Sequence, residues 1–266
     1  MKNKKKNLQD VELYLLDLDG TVYIGDKEIP GAFETVRKLR SAGKRVCFFT
    51  NNSSRTHLDY VEKLTKMGLP VTAPEIYTSG QASAEFIAER FPGARVFLLG
   101  NEKLKTELAL YGVTCADNDP DILLLGFDTS LTYDKLYKFC GYVAAGLPYI
   151  ATHPDDNCPA EPCPMPDAGV LIEAVRMTVK RFPDFIAGKP YTIAGDGVKK
   201  RFGLSPEKIA MVGDRLYTDI KFGINNGFVS ILVLSGETTA AAAAESDTKA
   251  DFIFDSLPDI AAALGI

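Results

Sequence analysis

Asp17 and Asp19 stand two residues apart where an apolar run meets a Gly-Thr turn, in LYLLDLDGTVY (Leu13–Tyr23). In an extended chain residues i and i+2 project to one side, so the two carboxylates point together while Leu16 and Leu18 point to the other face. Carboxylates held that close repel one another unless a cation or a shared proton relieves them. For oxygen ligands beside a phosphate, Mg²⁺ is the usual relief. Taken alone, the motif also reads as ordinary Asp-Gly turn chemistry.

Three further polar clusters bear on that choice. Thr50, Asn51 and Asn52 follow the apolar run RVCFF, and Asp214, Arg215 and Asp219 follow KIAMVG. Lys189 lies in AGKPY, where Gly188 allows close backbone approach and a fixed ammonium suits phosphate oxygens. In an open parallel sheet, ligands bind beyond the carboxyl ends of the strands. The strand-borne clusters are therefore expected to meet in one crevice.

The elements that would position them alternate between strand and helix, the pattern of a parallel sheet flanked by helices. Strands are expected at Leu13–Asp17, Arg45–Thr50, Arg95–Leu99, Asp121–Phe127, Pro148–Thr152, Ile209–Gly213, Val229–Leu234 and Asp251–Phe254. Helices are expected near 31–42, 56–67, 131–145, 168–181, 193–202, 217–226, 240–245 and 258–264. The N- and C-terminal segments then share one Rossmann-like α/β core, residues 1–80 and 187–266. A smaller α/β domain, residues 81–186, is inserted between them.

Composition narrows the class. The chain has 266 residues, 46% of them hydrophobic, enough apolar content for two cores. Its net charge of −5 gives no basic footprint for nucleic acid, and Lys2–Lys6 reads as a solvated tail. No segment approaches the roughly 18–20 apolar residues of a membrane span. Asp10 and Glu12 interrupt the run that follows the tail, so it does not read as a signal peptide. A cytoplasmic protein is expected. Its five cysteines are odd in number and scattered, unlike a disulfide framework. The spacing of Cys158 and Cys163 near His153 fits no common zinc pattern.

The set DLDGT (Asp17–Thr21), TNN (Thr50–Asn52), GKP (Gly188–Pro190) and GDRLYTD (Gly213–Asp219) resembles the four motifs of the haloacid dehalogenase-like hydrolase superfamily. The combination is most similar to its NagD/p-nitrophenylphosphatase-like branch. The resemblance implies a Mg²⁺-dependent phosphatase acting on small-molecule phosphomonoesters. Asp17 would be the nucleophile that forms an aspartyl-phosphate, and Asp19 the general acid and base. Mg²⁺ would be held by Asp17, the main-chain carbonyl of Asp19 and Asp214, with Asp219 supporting from behind. Thr50, Asn51 and Lys189 would hold the transferring phosphoryl group.

Other residues keep two readings. Asn52 and Ser53 either make phosphate or loop hydrogen bonds or cap the helix expected at Thr56. Arg215 reads as a rim or structural residue rather than a substrate contact, and Thr21 as a support for the turn. His57 reads as a helix-surface residue.

Only Val22–Pro30 separate the DGT turn from the first helix, leaving no room for a folded lid there. The long insertion between Thr50 and Lys189 resembles a C2a-type cap, which implies that substrate choice rests on cap loops. His153 and Asp155 in THPD are the leading candidates for substrate contact, against plain turn formation. Asp167 and Gly169 are a second pair, with Asp167 also a candidate helix cap. The resemblance admits a homodimer formed through the cap. A phosphomutase and a non-catalytic phosphometabolite-binding protein are the competing readings. Dehalogenation is disfavoured because Asp19 and Asp214 serve phosphoester chemistry.

Overall fold

The computed structural model describes residues 6–266. Lys2–Lys5 of the basic run lie outside the described residues. Lys6 pairs with Asp251 at 2.8 Å and donates to the carbonyl of Phe228.

One six-stranded sheet runs in the order Phe252–Phe254, Val229–Val233, Ile209–Gly213, Leu13–Leu16, Arg45–Thr50, Ile76–Thr78. Leu13–Leu16 pairs in parallel with Ile209–Gly213 on one side and Arg45–Thr50 on the other. Leu13, Tyr14, Leu15 and Leu16 are all fully buried. Such continuous apolar strands belong to a parallel sheet covered on both faces. Phe49, Phe222 and Phe228 stack edge to face beside it, with centroids 5.2 and 5.8 Å apart. The shared sheet of the N- and C-terminal segments is thus as expected.

The chain divides into two compact units. The first comprises the chain up to Phe49, Val61–Ile76 and Val198–Ile266; the second comprises Thr50–Tyr60 and Tyr77–Gly197. These borders differ from the expected 80/81 and 186/187. Thr50–Asn52 and Lys189 group with the second unit because hydrogen bonds tie Asn51 to Ser79, Asp155 and Lys189.

The second unit has its own parallel sheet, ordered Phe185–Ile186, Tyr149–Ala151, Ile122–Leu125, Arg95–Leu99, Thr114–Cys115. Alternation along its strands makes two cores. Phe97, Leu99, Leu123, Leu125 and Tyr149 pack with Phe139 and Ile172 on one face. Val96, Ile122, Leu124 and Ile150 pack with Ile87 and Leu108 on the other.

Two helices beyond the expected set flank this sheet, Ser79–Arg90 and Glu102–Leu110. The first is hard to read because its buried residues include Ser79, Gly80, Gln81 and Ser83, which blur the apolar period. The segment expected as a helix over 217–226 opens instead with a π-helical turn, Leu216–Ile220, before α-helix Lys221–Asn226. Residues 22–30 hold only a two-stranded hairpin, Tyr23–Ile24 with Lys27–Glu28. Among the described residues no helix is long and apolar enough to cross a membrane.

Candidate active site

In the first unit the parallel register sets Leu16 beside Val212, so Asp17 and Asp214 leave neighbouring strands at the same carboxyl edge. The N–H of Asp17 donates to the Val212 carbonyl at 2.9 Å and holds that alignment. Asp219 arrives from the π-helical turn, where the main-chain N–H groups of Asp219 and Ile220 both donate to Arg215 O. One oxygen each from Asp17, Asp214 and Asp219 lies within 4.8 Å of the others. Asp219, expected to act from behind, is thus a direct member of the carboxylate group. The Asp19 carboxylate lies outside it.

Three glycines make room for this group. A Cβ at Gly20 would sit 2.3 Å from Asp214 Oδ2, one at Gly236 2.0 Å from the same oxygen, and one at Gly213 2.2 Å from Asp219 Cγ. Gly20 also has φ +86°, a conformation that L side chains rarely adopt.

Asp214 is buried, with Oδ2 accepting from the Glu237 N–H at 2.7 Å. Its Oδ1 is buried and has no hydrogen-bond partner among the described residues. Burial, reinforced by the charge of Asp219, pushes the Asp214 carboxyl up to about 6. Asp219 Oδ2 accepts from the Arg215 N–H at 3.1 Å. Hard oxygen donors, mutual repulsion and an orphaned buried oxygen fit a divalent cation of the Mg²⁺ or Ca²⁺ kind. The Arg215 side chain pairs with Glu237 at 2.9 Å, in keeping with a rim role.

In the second unit Asn51 organises a different cluster. Its side-chain amide donates to Lys189 O at 3.0 Å and to Asp155 Oδ1 at 2.9 Å, while its Oδ1 accepts from the Lys189 N–H at 2.8 Å. Lys189 is 2% exposed, and the Lys189–Pro190 peptide is cis. A Cβ at Gly188 would come within 2.6 Å of Asn51 Oδ1 and 2.7 Å of Thr152 O, so the close packing demands glycine. Thr50 is buried, and its hydroxyl accepts from the Asn52 N–H at 3.1 Å.

His153 does not match the reading of a substrate contact. The imidazole is fully buried, with Nε2 2.9 Å from Asp167 Oδ1 and Nδ1 2.8 Å from Thr152 Oγ1. Asp155 spends one oxygen on Asn51. Asp167 caps helix Ala168–Val179, accepting from the Ala168 N–H at 2.6 Å. Gly169 packs against the Pro154–Asp156 backbone, where a Cβ would lie 2.4 Å from Pro154 O.

One further reading narrows and another changes. Asn52 and Ser53 do not cap helix His57–Lys66; Thr56 and Asp59 do so reciprocally. Asn52 accepts from Ser54 instead, and the Ser53 hydroxyl accepts from the Phe127 N–H and bonds to Thr152 Oγ1. His57 is no plain surface residue, since its N–H and Nδ1 both meet the buried carboxylate of Glu107 at 2.7 Å. Ser79, whose hydroxyl donates to Asn51 O, went unread because no local motif links residues 28 apart.

Residues 14–114 match the haloacid dehalogenase-like hydrolase family, and residues 186–260 match the HAD-hydrolase-like family. A crystal structure of 4-nitrophenylphosphatase from Thermotoga maritima superposes with a TM-score of 0.94 at 47% identity, over 97% of this chain and 98% of that one. The 5'-nucleotidase YutF of Bacillus subtilis is 34% identical over 92% of this chain and 96% of its own. A glycerol phosphate phosphatase from Mycobacterium tuberculosis, solved in complex with calcium, superposes with a TM-score of 0.89 at 29% identity, covering 96% and 76%.

Proposed function

Because this chain belongs to the haloacid dehalogenase-like hydrolases, in their NagD/p-nitrophenylphosphatase-like branch, we propose that it hydrolyses small phosphomonoesters with Mg²⁺ as its cofactor. The observation that carries this reading is the convergence of Asp17, Asp214 and Asp219 on oxygens within 4.8 Å, with Asp214 Oδ1 buried and unpartnered among the described residues.

In this mechanism the Asp17 carboxylate attacks phosphorus and forms an aspartyl-phosphate. Asp19 protonates the departing ester oxygen, then takes a proton from the water that cleaves the acyl phosphate. Asp17, Asp214, Asp219 and the Asp19 carbonyl would hold Mg²⁺, which would supply charge neutralisation for the phosphoryl oxygens. The Thr50 hydroxyl, the Asn51 N–H and the Lys189 ammonium hold those oxygens, with Asn52 beside them. Asn51 supports this role by fixing the main chain of Lys189 through two hydrogen bonds. Positioning and charge stabilisation account for most of the rate.

Residues 81–186 serve as the substrate-selecting cap, and the substrate is a small organic monoester of the nucleotide, glycerol phosphate or aryl phosphate kind. The same reading places the enzyme in the cytoplasm, where thiols stay reduced. A homodimer through this cap belongs to it as well, supported by the exposed Tyr133 and Tyr137 on one helix face. Phosphate release from a monoester panel, measured with Mg²⁺ and with chelator, tests the activity. Release that needs Mg²⁺ is expected, and no release from any ester would overturn the proposal.

A further inference from the structure

A chain of buried hydrogen bonds in the second unit leads from the cap of one helix to the main chain of Asn51. Asp167 accepts from the Ala168 N–H and faces His153 Nε2 at 2.9 Å. A carboxylate only accepts, so Nε2 carries a proton, and the neighbouring Asp167 and Asp155 favour the charged ring, in which Nδ1 is a donor as well. Thr152 Oγ1 lies 2.8 Å from that nitrogen, and Ser79 Oγ at 3.4 Å. The Ser79 hydroxyl has one proton, and it goes to the carbonyl of Asn51.

The remaining hydroxyls fall into one consistent direction. Phe127 N–H donates to Ser53 Oγ, the Nδ1–H of the charged ring donates to Thr152 Oγ1 and Ser79 Oγ, and the Thr152 hydroxyl donates to Ser53 Oγ. Ser53, Ser79, Thr152 and His153 are all 0% exposed, so no water stands ready to replace a lost partner. A buried polar network of this kind is rigid only when every member is satisfied.

We propose that His153 and Asp167 form a positioning dyad for the phosphoryl-binding segment. Asp167 holds the imidazole in place with both nitrogens protonated, the imidazole orders Thr152 and Ser79, and Ser79 holds the carbonyl side of Asn51. Asn51 in turn holds Lys189. The dyad acts through these residues and touches no substrate. Charged groups facing the ring are Asp167, Asp155 and Lys189. Burial pulls the imidazole down, but Asp167 at hydrogen-bond distance, with Asp155, outweighs it and the opposing Lys189, so the net shift is upward.

This inference rests on the phosphatase reading for its kinetic arm and stands apart from it in its spectroscopic one. In the full chain near neutral pH, ¹⁵N spectra of His153 are expected to show both ring nitrogens protonated, a form lost in Asp167→Asn, which keeps the capping oxygen for helix Ala168–Val179 but not the charge. An unchanged spectrum would overturn the dyad whether or not the protein hydrolyses anything.

For the kinetic arm, Asp167→Asn and Ser79→Ala are each expected to lower kcat by about 10-fold or more, since small misplacements of binding groups are costly. The loss should be the same for p-nitrophenyl phosphate, glycerol phosphate and a nucleoside monophosphate. The double variant should lose less than the product of the two single losses, because both lie on one path. A loss confined to the KM of one ester would make His153 a substrate contact and overturn the proposal. A wild-type protein inactive on all three esters would instead refute the phosphatase reading.

Discussion

The side chain of Asn51 hydrogen-bonds to both main-chain groups of Lys189, giving to its carbonyl and taking from its N–H. A single amide so replaces what a neighbouring strand would supply, across 138 residues of sequence. Asn51→Asp keeps the acceptor but turns the donor into a second carboxylate facing Asp155 and the Lys189 carbonyl. The expected result is a loss of about 10²-fold in kcat/KM for p-nitrophenyl phosphate, the scale of a misplaced binding group. Steady-state kinetics check it; retention of full activity would remove Asn51 from the machinery.

Asp17→Asn should abolish turnover while leaving the fold intact. The substitution preserves size but removes the nucleophilic charge, and a fall of at least about 10³-fold is expected for loss of covalent catalysis. Phosphate release together with a circular dichroism melt separates chemistry from folding. Substantial residual activity would reject Asp17 as nucleophile.

Gly236→Ala tests the carboxylate group from outside the recognised motifs. The added Cβ would sit 2.0 Å from Asp214 Oδ2, so the carboxylate must move. The thermal stabilisation by Mg²⁺ expected of the wild-type protein should then shrink, with kcat/KM down about 10²-fold. A thermal-shift titration reads the first effect independently of activity.

The raised Asp214 carboxyl makes a signed prediction for pH. Its ordinary value is 3.8, and burial beside Asp219 pushes it up to about 6 in the folded chain. Folding therefore strengthens its hold on a proton, and the stability so gained is full below about pH 4 and lost as pH rises through 6. A divalent cation replaces the proton and removes the repulsion. The rise in Tm on adding Mg²⁺ to chelator-treated protein should accordingly be larger at pH 7.5 than at pH 5. Equal rises would show that Asp214 does not bind the ion.

Glu107 is fully buried and accepts twice from His57. Glu107→Ala would leave the His57 N–H without its acceptor and open a cavity, at an expected cost of about 2–4 kcal/mol. Denaturant unfolding measures the loss.

The fold and the meeting of Asp17 with Asp214 were legible for the same reason: both are written locally. Apolar runs end in acidic residues, as LYLL does at Asp17 and IAMVG does at Asp214, and strand adjacency does the rest. What escaped depends on contacts between distant residues. Nothing near His153 signals that Asp167 and Thr152 will engulf it, or that Glu107 will claim His57. Likewise Gly236 stands in an unremarkable SGET stretch, and only proximity to Asp214 explains it. Helix Ser79–Arg90 escaped because it packs small polar residues inward.

The π-helical turn at Leu216–Ile220 fixes chain length more strictly than it fixes its outward-facing side chain. Tyr217 within it is 53% exposed and can be exchanged, yet removing one residue would restore an ordinary helix. Everything beyond the deletion would swing by about 100° around the axis, and Asp219 would face away from Asp17 and Asp214. This stretch is thus a ruler, tolerant of spelling and intolerant of count.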